Sequence, residues 1–112
     1  MKRYCLALDL KDDAALISEY EAQHKAVWPE IIASIRQAGI QQMEIYRLHN
    51  RLFMIMETDE NFTFEAKNKL DQQNPTVQQW EDLMWKYQQA IGDAGGGEKW
   101  KLMDRIFNLN DY

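Results

Sequence analysis

Tyr20 and His24 stand one helical turn apart in the segment Tyr20-Glu21-Ala22-Gln23-His24-Lys25-Ala26-Val27-Trp28-Pro29-Glu30, so a helix presents both side chains on one face. Trp28 would follow on that face, but Pro29 lacks an amide hydrogen and breaks the ladder there. A phenol, an imidazole and an indole are thereby gathered at a helix break. An imidazole titrates near pH 6.5 and gives or takes a proton close to neutrality, a phenol donates a hydrogen bond, and an indole offers a flat wall. The trio suits proton transfer on a flat polar ligand. A histidine capping a helix end and a tyrosine at the rim of a core are the plainer readings of the same residues.

Other residues carry weaker signals. Trp80 and Trp85 lie five apart and point in different directions on a helix, so one suits a core and the other a pocket. Indole faces stack on saccharide rings, although four tryptophans also serve packing. Glu30 and Glu81 are the carboxylates nearest these groups in sequence; most carboxylates are solvated surface charges. His49 falls in a turn pattern. Gly95 to Gly97 lack the fingerprint of a phosphate loop, and neither a Ser-His-Asp order nor a metal-ligand spacing stands out, so no metal and no cofactor are expected.

Composition narrows the partners. Thirteen basic against eighteen acidic residues leave a net charge of -5, which repels a phosphate backbone and argues against nucleic acid. No basic amphipathic stretch suggests a membrane surface, and no apolar run reaches the ~18 residues of a membrane span. The single cysteine, Cys5, excludes an internal disulfide. The N-terminus runs directly into a strand pattern without a signal-peptide core, so the cytoplasm is the expected compartment.

The elements that must position the site follow from period and punctuation. Tyr4, Leu6, Leu8 and Leu10 alternate with Arg3, Cys5, Ala7 and Asp9 as a first strand. Asp12 or Asp13 caps a helix reaching about His24. A second helix opens at Pro29, buries Ile31, Ile32 and Ile35, and stops at Gly39. Met43, Ile45 and Arg47 alternate in a second strand, His49-Asn50 forms a tight turn, and Leu52 to Met56, apolar on both faces, forms a strand central in a sheet. Phe62 to Leu70 reads as a short helix. Asn74-Pro75 opens another, from about Thr76 to Ile91, with Val77, Trp80, Leu83, Met84, Tyr87 and Ile91 at helical spacing. Gly92 to Gly97 form a flexible link, and Lys99 to Leu109 a last strand. The 112 residues fit one domain. Their order, β-α-β-β-α-β, is the ferredoxin-like α+β pattern, an antiparallel sheet with helices on one face. Its bare second face, apolar on the third and last strands, predicts a homodimer that covers it.

The pattern Tyr-x-x-x-His-x-x-x-Trp-Pro-Glu, following an N-terminal strand, resembles the L-rhamnose mutarotase family. The likeness continues through Glu44-Ile45-Tyr46, the Trp-rich helix from Asn74 to Tyr87 and the strand Met103-Asp104-Arg105-Ile106-Phe107. From Lys2-Arg3-Tyr4 to Glu98-Lys99-Trp100 the wording is closest to the L-fucose mutarotase branch. The resemblance implies a dimeric ferredoxin-like α/β barrel that interconverts the α and β anomers of a 6-deoxyhexose without a cofactor. It implies His24 as the catalytic histidine and Tyr20 as the helix tyrosine beside it. Trp80 corresponds to the first of the family's sugar-contacting tryptophans, while Glu81 stands where a second often does. Met43 replaces a tyrosine of the rhamnose enzymes, just before Ile45-Tyr46. These departures favour L-fucose over L-rhamnose. Trp28, Tyr46 and Trp85 complete the candidate sugar-contacting set.

The leading expectation is therefore a sugar mutarotase. A small dimeric α/β-barrel monooxygenase and a non-catalytic sugar-binding dimer share the fold class and remain the alternatives, because one architecture hosts many functions.

Overall fold

In the computed structural model of the chain, residues 1–91 and 99–112 are described. The alternation in β1 (Lys2–Leu10) places Leu6, Leu8 and Leu10 on one side, all buried. β3 (Arg51–Thr58) pairs antiparallel along its length, with Leu8 opposite Leu52 and Leu6 opposite Met54. β2 (Ile40–Leu48) takes the far edge of β3 and sets Ile45 opposite Met54. The strand with two apolar faces is thus interior to the sheet, with β1 on one edge and β2 on the other. The order is β2-β3-β1-β4, and the arrangement is ferredoxin-like α+β. β4 (Gln88–Gln89) and β5 (Lys101–Leu102) share the remaining edge of β1.

The helices cover one face of the sheet. Asp13 caps α1 (Ala14–His24) by accepting from the Leu16 amide at 3.0 Å. Lys25 closes that helix, and α2 (Pro29–Gln37) restarts at the proline with Trp28 as its N-cap. Gly39 takes φ +97°, and its carbonyl accepts from the Asp59 amide at 2.9 Å. Thr63 caps α3 (Phe64–Gln72), and Asn74 caps α4 (Pro75–Trp85) by accepting from Thr76 and Val77. The core has two parts. One joins Leu10, Tyr20, Ile31, Leu52, Val77, Trp80, Met84 and Tyr87. The other joins Leu6, Ile40, Met54, Met56 and Phe62.

Two expectations fail near the C-terminus. The helix opened by Asn74 ends at Trp85, not at Ile91. Apolar spacing carries on to Tyr87, but the Tyr87 carbonyl accepts from the Lys11 amide at 2.8 Å and Gln88 pairs with Leu10. The free edge of β1 therefore wins this stretch from the helix. The last strand spans only Lys101–Leu102. After Met103, whose amide donates to the Cys5 carbonyl at 2.8 Å, the chain leaves the sheet. Without a neighbouring strand to take its amides and carbonyls, residues 103–108 have no ladder to join. A short 3₁₀ turn, Leu109–Asp111, follows. The glycine link expected at Gly92 to Gly97 lies outside the described residues.

Candidate active site

The last turn of α1 carries two of the candidate residues, Tyr20 and His24. His24 and Tyr20 face each other with ring centroids 4.3 Å apart. The His24 Nδ1 lies 2.9 Å from the Tyr20 carbonyl oxygen. A carbonyl only accepts, so Nδ1 carries the hydrogen and Nε2 of the neutral ring is left with its lone pair. Burial pushes the His24 pKa below its usual value, partly offset by the bond to the Tyr20 carbonyl, and the neutral ring prevails at pH 7. Tyr20 is 3% exposed. Burial, opposed by the Gln88 amide and reinforced by the Glu81 carboxylate, pushes its pKa up to about 12. A proton acceptor and a phenol that keeps its proton are thus held side by side.

The break at Pro29 supplies the aromatic wall. The Trp80 ring stands edge-on to His24 at 5.8 Å and to Trp28 at 5.1 Å, geometries that aromatic quadrupoles favour. Trp80 projects from α4 and Trp28 from the cap of α2, so three helices fix three rings. Tyr87, just past α4, meets the Tyr20 ring edge-on at 6.0 Å.

Beside these rings lies an open hollow of about 410 Å³, lined by Tyr20, Glu21, His24, Lys25, Ile45, Tyr46, Arg47 and Leu52. That is within the range of small-ligand sites, roughly 300–1,000 Å³. Its rim is polar. The Arg47 Nε donates to the Glu21 carboxylate, and its Nη1 donates to the His49 carbonyl at 2.8 Å, which ties α1 to β2 across the hollow. The Tyr46 hydroxyl donates to Glu44 Oε2 at 2.6 Å.

The candidate residues divide into three groups. Tyr20, His24 and Tyr46 line the hollow, and Trp80 and Trp28 form the wall against the imidazole. Glu81 follows Trp80 on α4 and bonds to Lys99 through Oε2 at 2.7 Å. Met43 and Trp85 do not line the hollow: Met43 packs against the second core cluster, and Trp85 is partly exposed with the Lys99 ammonium 4.6 Å from its ring centre. His49 is exposed at the turn with φ 52° and meets Asp12 at 3.1 Å. The sequence reading passed over Glu21, Lys25 and Arg47, whose role appears only when α1 meets β2; a lone arginine on a strand face that is otherwise apolar was the one available signal. No group of three or more His, Cys, Asp or Glu among the described residues is arranged to hold a metal.

The sequence matches the L-rhamnose mutarotase family over residues 3–109. The chain belongs to that family. It is an isomerase of the mutarotase type, acting on carbohydrate. The L-fucose mutarotase of Xanthomonas campestris is 47% identical, over 99% of this chain and 90% of its own length. The crystal structure of an L-rhamnose mutarotase from Formosa agariphila superposes with a TM-score of 0.72 at 18% identity, over 97% of this chain and 99% of that one. The tetracenomycin F2 cyclase of Streptomyces glaucescens shares the fold at a TM-score of 0.64 and 15% identity, over 96% of both chains.

Proposed function

We propose that the chain interconverts the α and β anomers of a 6-deoxyhexose, L-fucose first and L-rhamnose next, by proton transfer alone. One observation carries this reading: a neutral imidazole with its Nδ1 tied to a carbonyl and its Nε2 without a hydrogen bond among the described residues, beside a phenol that keeps its proton. His24 Nε2 takes the proton of the anomeric hydroxyl. The bond from the anomeric carbon to the ring oxygen breaks, an aldehyde forms, and the ring oxygen receives the proton of Tyr20. The aldehyde rotates, the ring closes on its other face, and both protons return. Positioned acid and base groups contribute about 10²–10⁴-fold to such steps. Trp80 and Trp28 wall the sugar ring, and Tyr46 meets it at the rim. Glu81 supplies a hydroxyl acceptor where an indole would stack. The preference for L-fucose rests on Glu81 and on the name of the 47% identical relative.

The same reading includes a homodimer. Leu48 and Ile106 are 82% and 96% exposed, and Phe107, Leu109 and Tyr112 are exposed with them. A second copy laid across the bare sheet face and the C-terminal tail would bury these side chains. The free Cys5 suits a reducing compartment, the cytoplasm; no helix among the described residues is long and apolar enough to cross a membrane.

Saturation-transfer NMR tests the activity. Irradiating one anomeric proton of equilibrated L-fucose should transfer saturation to the other when the enzyme is added, and L-rhamnose should respond less. If neither sugar responds to the protein, the assignment fails.

A further inference from the structure

The Lys99 ammonium is closely held against Glu81, the neighbour of Trp80 on α4. Its side chain is only 11% exposed, a rarity for lysine. Nζ donates to the Glu81 carbonyl at 2.8 Å and meets Glu81 Oε2 at 2.7 Å. It also lies 4.6 Å from the centre of the Trp85 ring, a cation–π contact. One donor is thus spent on the Glu81 carbonyl, the charge is paired with the carboxylate of the same residue, and the ammonium is held over an indole. The Glu81 carboxylate it holds is 42% exposed. Oε1 has no hydrogen bond among the described residues, although Oε2 is engaged. Glu81 adjoins Trp80 on α4, and its charge reaches the Tyr20 phenol.

We propose that Lys99 is a positioning residue that sets sugar specificity, by holding Glu81 Oε2 so that Oε1 is presented to a sugar hydroxyl at the edge of the site. The inference rests on the sugar-site reading above. L-Fucose and L-rhamnose differ in configuration at their second and fourth carbons, so a fixed acceptor at one side of the ring distinguishes them. A carboxylate released from Lys99 would swing among rotamers and lose that discrimination.

Tryptophan fluorescence titration with each sugar measures binding whether or not catalysis occurs. Lys99→Met keeps the apolar stem and removes the charge. Losing one well-placed charge-assisted hydrogen bond should weaken L-fucose binding by about tenfold, and L-rhamnose binding by no more than about threefold. KM for L-fucose should rise with the binding constant while kcat changes little. Lys99→Arg should recover most of the L-fucose affinity. Glu81→Gln should show the same selective loss, and adding Lys99→Met to it should cost nothing more. Circular dichroism melts separate these effects from unfolding; if Lys99→Met fails to fold, Glu81→Gln carries the test. Equal weakening for both sugars, a fall in kcat at constant KM, or additive losses in the double variant would overturn the proposal and leave Lys99 as a fastener between α4 and β5. A parent protein that binds L-fucose selectively through this pair without exchanging its anomers would uphold the proposal and refute the mutarotase assignment. A parent that binds neither sugar refutes both.

Discussion

Replacing His24 by alanine separates chemistry from folding. The His24 Nδ1 donates to the Tyr20 carbonyl, and in the proposed mechanism Nε2 takes the anomeric proton. On that reading, removing the ring takes away the general base, so anomer exchange of L-fucose should fall by about 10²–10⁴-fold. That corresponds to about 3–5 kcal/mol of barrier. The structural cost is read separately. One hydrogen bond to a helix-end carbonyl is lost with the ring's packing against Tyr20 and Trp80, together about 1–3 kcal/mol, and the melting temperature should drop by about 5–20 °C. Saturation transfer between the two anomeric protons gives the exchange rate, and a circular dichroism melt of the same sample gives the folded fraction. The pH dependence of the parent adds a second check. Burial lowers the His24 pKa, so the acid limb of the rate should lie below the free imidazole value of about 6.5. Tyr20, held up to about 12, should add no descending limb near neutrality. Exchange by folded His24→Ala within threefold of the parent, or an acid limb above 6.5, would refute the assignment.

Stability should follow the same group. Below about pH 6.5 the unfolded chain takes up a proton that the folded imidazole resists. The contribution present above that value is therefore lost as pH falls through the lower folded pKa, and urea midpoints at pH 7.5 should exceed those at pH 5. Gly39→Ala should cost about 1–3 kcal/mol, because φ is +97° and the added Cβ would stand 2.7 Å from Asp59 Oδ2, whose partner oxygen caps the Asn61 amide; exchange per folded molecule should be unchanged. Phe107→Asp should shift a dimer toward monomer in sedimentation at micromolar concentration, while a parent that sediments as a monomer would remove the dimer from the reading.

Much of the arrangement was legible because it depends on local rules. The proline that ends one helix and starts the next, the glycine at φ +97° and the period-two strands each act within a few residues. The order of strands followed from that list. The parts that were not legible depend on contacts distant in the chain. Tyr87 continues a helical spacing, and only the open edge of β1 pulls it out. The Arg47–Glu21 tie spans 26 residues and the Lys99–Glu81 contact 18, so neither has a periodic signature. The 103–108 segment alternates like a strand, but alternation does not supply a neighbour to pair with. Trp85 was singled out as an indole on the α4 helix and Met43 as the counterpart of a family tyrosine; neither lines the hollow, Met43 packing against the second core cluster and Trp85 lying near the Lys99 ammonium.

The interior's division into two clusters has a practical consequence. Tyr20 and Trp80 belong to one, whereas Met54, Met56 and Phe62 belong to the other, where no residue of the aromatic wall resides. Thioether-rich interiors tolerate reshaping. Robustness to heat and turnover can accordingly be tuned in different clusters, with Ile35, Ile45 and Trp100, which touch both, as the seam that any redesign must respect.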